Sequence, residues 1–156
     1  MPALRLTHKC EDPSPPLGWL TLPFELRRKR RLRALLDCGR EAALLLPQGT
    51  ALRDGDTLAA EGGGCVRVRA AGEHLSVVAC ADPLLLARAA YHLGNRHVAV
   101  QVDPGCLRYL HDHVLDGMLR AMGLAVHSEF APFEPEQGAY HDAGVHGHLH
   151  QRLAPP

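Results

Sequence analysis

The sequence predicts an α+β chain in three parts: an N-terminal small all-β domain over residues 1–72, a unit with two helices over 73–131, and a linker with a histidine-containing tail over 132–156. Three observations carry this. Up to about residue 72, short apolar runs alternate with Gly-, Asp- and Pro-rich turns, the spacing of a small barrel or sandwich. After Ala70-Ala71-Gly72-Glu73 the order becomes strand, helix, strand, strand, helix, strand. A β-α-β-β-α-β order is the ferredoxin-like arrangement. From Pro132 onward periodicity is lost, and the last residues hold too little apolar surface to fold alone.

In the first part, Gly18-Trp19-Leu20-Thr21-Leu22-Pro23 reads as a short strand with a proline stop. Leu32–Leu36 and Glu41–Leu46 flank Asp37-Cys38-Gly39-Arg40, two apolar runs about an Asp-x-Gly turn, hence a hairpin. Thr57–Ala60 and Cys65–Ala70, joined by Glu61-Gly62-Gly63-Gly64, form another. Arg27-Arg28-Lys29-Arg30-Arg31 with Arg33 is the one basic run. It reads either as a solvated edge strand, whose charges block edge-to-edge pairing, or as a strip that binds an anion or a partner. Arg27, Arg28, Arg30 and Arg31 are the candidate partner-binding residues. No stacking aromatics are interleaved with them, which argues against nucleic acid.

In the second part, His74–Ala79 reads as a strand. Asp82 caps a helix and Pro83 suits its first turn. Leu84–Leu93 fill the helix, and Gly94 is expected to end it in the left-handed conformation. The chain then turns through Asn95 and Arg96 into an extended apolar run, which leaves His97 at a helix-to-strand corner. Val98–Val102 and Cys106–Leu110 are strands joined by Asp103-Pro104-Gly105. Asp112 caps a second helix in which Leu115, Met118, Leu119 and Met122 make one apolar face, and Gly123 ends it. Ala125–Phe130 is the last strand. One face of this sheet carries both helices; the other needs cover from a partner or from the first domain.

The 156 residues carry 17 basic and 17 acidic side chains, so net charge gives no reason to expect a nucleic-acid or membrane partner. The five cysteines, Cys10, Cys38, Cys65, Cys80 and Cys106, include no C-x-x-C pair, which excludes zinc-finger and zinc-ribbon spacing. With no apolar leader and no long apolar span, they read as reduced thiols of a cytoplasmic protein. The 11 histidines are the compositional excess. Imidazole suits nickel, zinc, copper and iron. A single histidine such as His97 reads first as a surface loop residue, but the others are grouped. His111 and His113 bracket Asp112 at a helix N-terminus, whose positive end suits the neutral ring that ligation requires. His141, His146, His148 and His150 lie in the tail. A rigid frame that offers one or two ligands per chain can still build a site at a two-fold axis, where each ligand is present twice.

Several stretches then resemble one family. Asp82-Pro83-Leu84-Leu85-Leu86-Ala87-Arg88-Ala89-Ala90-Tyr91-His92-Leu93-Gly94-Asn95-Arg96-His97 is similar to the corresponding segment of the urease accessory nickel chaperones, the UreE family. So are His113-Val114-Leu115-Asp116-Gly117-Met118-Leu119 and Pro132-Phe133-Glu134-Pro135-Glu136 with Gly138-Ala139-Tyr140. In the first half, Ala43–Thr50 and Leu52–Asp56 also match. The resemblance implies a peptide-binding-like β domain and a ferredoxin-like metal-binding domain that forms a homodimer. It implies that His97 is the interface nickel ligand, with His111 and His113 as auxiliary positions. The expected function is a non-enzymatic nickel metallochaperone that binds Ni(2+), or Zn(2+) at the same or auxiliary sites. It would deliver nickel to the accessory GTPase UreG and the apo-urease complex. Three rivals stand beside it: a nickel or zinc buffer without dedicated delivery, a metallohydrolase using Cys80 or Cys106 with a histidine, and a nucleic-acid binder using Arg27–Arg33.

Overall fold

A computed structural model describes residues 2–138. Strands Leu4–Lys9 (β1), Trp19–Leu22 (β2), Arg31–Leu35 (β3), Glu41–Leu45 (β4), Thr57–Ala60 (β5) and Cys65–Ala70 (β6) form one sheet of order β2-β6-β5-β1-β4-β3. Alternate residues point inward. Leu6, Leu20, Leu44, Leu58 and Val66 are all at most 1% exposed and share one core. The sheet curls around that core until its ends approach. There the Asp37 amide donates to the Trp19 carbonyl at 2.9 Å, and the Thr21 hydroxyl donates to the Asp37 carboxylate at 2.8 Å. The two hairpins expected from the turns form, β3 with β4 and β5 with β6. Gly62, Gly63 and Gly64 all take positive φ in the second turn (90°, 102° and 82°), which explains a triple glycine there.

Two elements of this half were not expected. Strand β1 is central, parallel to β4 and antiparallel to β5, although its second half, Thr7-His8-Lys9, is polar. Phe24–Arg27 form a single helical turn (α1), so the basic run is not one edge strand. Arg27 closes the turn and points inward at 2% exposure; only from Arg31 is the chain a strand.

The second half comprises Gly72–Ala79 (β7), Pro83–Asn95 (α2), Gln101–Asp103 (β8), Cys106–Leu110 (β9), His113–Ala121 (α3) and His127–Pro132 (β10). Its sheet has the order β10-β7-β9-β8, antiparallel throughout. Val78, Leu107 and Tyr109 from the sheet pack with Ala89 and Leu93 of α2 and Leu119 of α3. The other sheet face is the one for which cover was expected from a partner or from the first domain. On it Arg108 pairs with Glu129 at 3.1 Å and with Asp103, and Leu75 and Val77 are already buried within the single chain. The run Val98–Val102 becomes a regular strand only at Gln101.

The stretch expected as a linker after Pro132 is packed in its described part. Phe133 is fully buried and meets Phe24 edge-on, with ring centroids 5.4 Å apart. The Glu134 amide donates to Gln101 Oε1 at 2.9 Å, and the Glu136 amide to the Val100 carbonyl at 2.8 Å. An apolar ring and a few well-placed polar groups suffice to hold a segment that has no periodicity of its own.

Candidate metal centre

The two helices end in the same way, with one difference. In α3 the Gly123 amide donates to the Arg120 carbonyl and the Leu124 amide to the Leu119 carbonyl, with Gly123 at φ 90°. This is the paired closure of a Schellman motif, and its left-handed position favours glycine. In α2 the His97 amide donates to the Gly94 carbonyl at 2.9 Å and the Val98 amide to the Leu93 carbonyl at 3.2 Å. The left-handed position is therefore His97, at φ 57°, and not Gly94, which remains helical. Val98 and Leu93 belong to one apolar cluster, the contact that usually accompanies this closure and that fixes where the helix stops. His97 is the one non-glycine residue with positive φ among the described residues. A side chain there costs about 1–2 kcal/mol. The ring is exposed, and no hydrogen bond to it is present among the described residues, so nothing local offsets that cost. A bulky residue held in such a conformation points to a use for its side chain.

His97 also lines a cleft of about 320 Å³ between the two halves, together with Phe24, Arg53, Val98, Glu136 and Gly138. Arg27 forms one wall. Its guanidinium donates to the carbonyls of Leu22 (3.2 Å), Leu52 (3.1 Å) and Phe133, and to the Glu134 carboxylate. Glu134 also accepts from the Asp54 amide at 3.2 Å. Arg27 is thus a buried tie between the two halves and is not available as part of a surface strip. Arg28, Arg30 and Arg31 are exposed, with Arg28 3.5 Å from Glu25.

His111 and His113 take up the expected places around Asp112, whose carboxylate accepts from the Val114 (2.8 Å) and Leu115 (3.1 Å) amides. Capping fixes the start of α3, with His111 just before the cap and His113 just after it. The His111 ring stacks on His74, centroids 4.3 Å apart, and its Nδ1 lies 3.0 Å from Ser76 Oγ and 3.4 Å from Asp116. A ring tied at Nδ1 could coordinate a metal only through Nε2, the usual arrangement around bound metals. Behind it the Tyr109 hydroxyl donates to Asp116 at 2.6 Å. Burial acts to raise the Asp116 carboxyl. Hydrogen bonds from Ser76 and Tyr109, and the charges of His111 and Arg120, outweigh it and hold the group below the usual carboxylate range. Burial and the neighbouring Asp116 push the Tyr109 hydroxyl well up. His74 and Asp116 were missed in the sequence. Asp116 carried a signal, a charged residue three positions before Leu119 on the apolar face of α3. His74, at the start of a strand, carried none.

No three His, Cys, Asp or Glu side chains come together to hold a metal among the described residues. His97, His111 and His113 therefore do not form one site within a chain, while His141, His146, His148 and His150 lie outside the described residues. Cys106 is poorly set as a nucleophile. Burial pushes the Cys106 thiol up, against the opposing charge of Arg108, so its thiolate is scarce at neutral pH. No helix among the described residues is long and apolar enough to cross a membrane.

Comparison with known proteins agrees with this architecture. The family model for the UreE urease accessory protein N-terminal domain matches residues 2–71, and that for the C-terminal domain matches residues 73–154. A urease accessory protein UreE of Pseudomonas putida (strain W619) is 58% identical over 139 residues, 88% of this chain and 86% of its own length. One from Alkalilimnicola ehrlichii is 58% identical over 137 residues, covering 88% and 84% of the two chains. One from Escherichia coli O157:H7 is 52% identical over 150 residues, covering 96% and 97%. Both domain models match in order and these relatives align over most of their length, so the chain belongs to the UreE urease accessory protein family.

Proposed function

We propose that this protein is a cytoplasmic nickel metallochaperone for urease maturation, without enzymatic activity of its own. It binds Ni(II) at a homodimer interface through His97 from each chain and passes it to the GTPase UreG and the apo-urease complex. The second half, with strand order β10-β7-β9-β8, is its ferredoxin-like metal-binding and dimerisation domain. Zinc is accepted by the same imidazoles.

The observation that carries this reading is His97 itself. It occupies a position that glycine fills in α3, it is exposed, and it belongs to no multi-ligand cluster among the described residues. One ligand per chain becomes two at a two-fold axis, and a site with few ligands can release its metal to an acceptor. His111, through Nε2, and His113 supply auxiliary binding, and the tail histidines add capacity. Arg28, Arg30 and Arg31 are the exposed basic residues left for partner contact. The test is transfer: Ni(II)-loaded protein mixed with purified UreG should lose nickel to it faster than free exchange allows, and His97→Ala should abolish that transfer. Transfer that persists in His97→Ala at the wild-type rate contradicts the reading, and retention of nickel by the wild type in the presence of UreG would indicate a buffer.

A further inference from the structure

We propose that Asp116 is a positioning residue for metal binding at His111: together with Ser76 it holds the imidazole in the tautomer whose Nε2 lone pair is free for a metal ion. The inference rests on the auxiliary metal-binding role given to His111 above. A buried polar cluster between β7, β9 and α3 carries it. Ser76 and Tyr109 are fully buried, and Asp116 is 4% exposed. Burying a carboxylate is costly unless it is hydrogen-bonded, and apolar residues of similar size would fill such a space without that cost. Departures of this kind are expected where a site is built. What the cluster faces is the His111 ring: Nδ1 lies 3.0 Å from Ser76 Oγ and 3.4 Å from the Asp116 carboxylate.

The distances alone leave two tautomers open, because a serine hydroxyl can donate to Nδ1 or accept from it. Asp116 decides between them. An ionised carboxylate only accepts, so it favours a proton on the nitrogen beside it. It also draws the hydroxyl protons of its neighbours: Tyr109 donates to it at 2.6 Å, and Ser76 hydrogen-bonds to it as well. With its own proton committed to Asp116, Ser76 meets Nδ1 with a lone pair and accepts the Nδ1–H. The remaining nitrogen, Nε2, is then unprotonated, and no hydrogen bond to it is present among the described residues. The rest of the residue is fixed too. The His111 amide donates to the His74 carbonyl at 3.0 Å, and the two rings stack with centroids 4.3 Å apart. A metal ion therefore meets a ring already in its ligating form, with no proton to displace from Nε2. Asp116 is not itself a ligand here; its effect passes through Ser76 and the Nδ1 proton.

The test uses a full-length parent chain in which His97 is replaced by Ala and His141, His146, His148 and His150 by Gln, so that binding by His111 and His113 is measured without those ligands. Asp116→Asn, Ser76→Ala and Tyr109→Phe are compared in this parent, with and without His111→Ala. Ni(II) affinity is read by calorimetry and stability by urea unfolding. The His111 tautomer of the metal-free chains is read by NMR of the ring nitrogens at about pH 8, above the reference imidazole pKa of about 6.5. The parent should carry the proton on Nδ1, and Asp116→Asn should move it toward Nε2. Asp116→Asn and Ser76→Ala should each weaken Ni(II) binding by about tenfold or more. With His111→Ala present, neither should change affinity by more than about twofold. Tyr109→Phe loosens the same cluster but leaves both groups that face Nδ1, so it should lower stability and keep affinity within about twofold. Affinity that falls along with stability in all three variants would make the cluster merely structural and overturn the proposal, as would a parent ring protonated at Nε2. Unchanged affinity in Asp116→Asn would also overturn it, while leaving His111 a ligand. If Asp116→Asn does not fold, Ser76→Ala decides in its place, because it removes the acceptor at 3.0 Å. If the parent and its His111→Ala form bind Ni(II) alike, the auxiliary-site reading has failed, and this proposal with it.

Discussion

Replacing His97 by glycine should make the apo protein more stable and remove its function at once. Worked from the structure, the gain is the left-handed penalty of a β-carbon at φ 57°, about 1–2 kcal/mol, reduced somewhat because histidine tolerates this region better than most residues. Against it stands the extra freedom of glycine in the unfolded chain, about 0.4–1 kcal/mol. Neither packing nor hydrogen bonding is lost, because the ring is exposed and without a described partner. The net is a stabilisation of roughly 0.5–1 kcal/mol, or a rise of about 1–4 °C in Tm for a chain of this size. His97→Ala keeps the β-carbon and its strain, so it should sit near wild type or slightly below. Urea unfolding of the three metal-free proteins at one protein concentration, with m-values compared, measures this directly. Both variants should lose the tightest Ni(II) site. Loss of more than about 0.5 kcal/mol in the glycine variant would show that the ring makes a stabilising contact. The inference from strain to function would then fall.

Other expectations are more local. Phe133→Ala should cost about 3–5 kcal/mol, because a fully buried ring packed on Phe24 is removed; a cost under about 1 kcal/mol would mean that the segment after β10 is not docked. Asp82→Ala should cost about 1 kcal/mol through loss of the cap on the Leu84 and Leu85 amides, measured by thermal unfolding. Asp116 titrates lower in the folded than in the unfolded chain. Its contribution is therefore present above the ordinary carboxylate pKa of about 3.9 and is lost as pH falls through the folded value. Asp116→Asn should remove that acid limb of the stability curve and weaken the protein at neutral pH; an acid limb that survives in Asp116→Asn assigns it to other carboxylates. Deleting residues 141–156 should lower Ni(II) capacity and leave apo stability unchanged, and a drop in apo Tm would contradict the reading of that tail as unpacked.

Much of the second half was legible because its signals are local. Asp82 and Asp112 cap helices through bonds to residues two and three positions away, and Gly123 stops α3 where the apolar face ends. The hairpin turns at Asp37-Cys38-Gly39-Arg40 and Glu61-Gly62-Gly63-Gly64 are local for the same reason. Gly94 misled because glycine is the usual left-handed stop. The closure is instead set by Val98 packing with Leu93, which places His97 at the special position. That conflict between local preference and structure falls at the proposed metal ligand, where departures of this kind are expected. What was illegible is long-range. Arg27 and Glu134 are 107 residues apart, so no spacing rule could pair them, and the basic run concealed the one arginine that points inward. Strand β1 depends on partners on both sides, β4 and β5, and its own sequence alternates for only half its length.

The central claim is that two copies of His97 hold one nickel ion. Native mass spectrometry of the full-length protein titrated with Ni(II), with His97→Gly alongside, tests it most directly. The account predicts that the first ion to bind gives one nickel per two chains in the wild type. It predicts that the glycine variant remains dimeric without this species, and fills only weaker sites. A first nickel bound one per chain, or a tight one-per-dimer species that survives in His97→Gly, would contradict it.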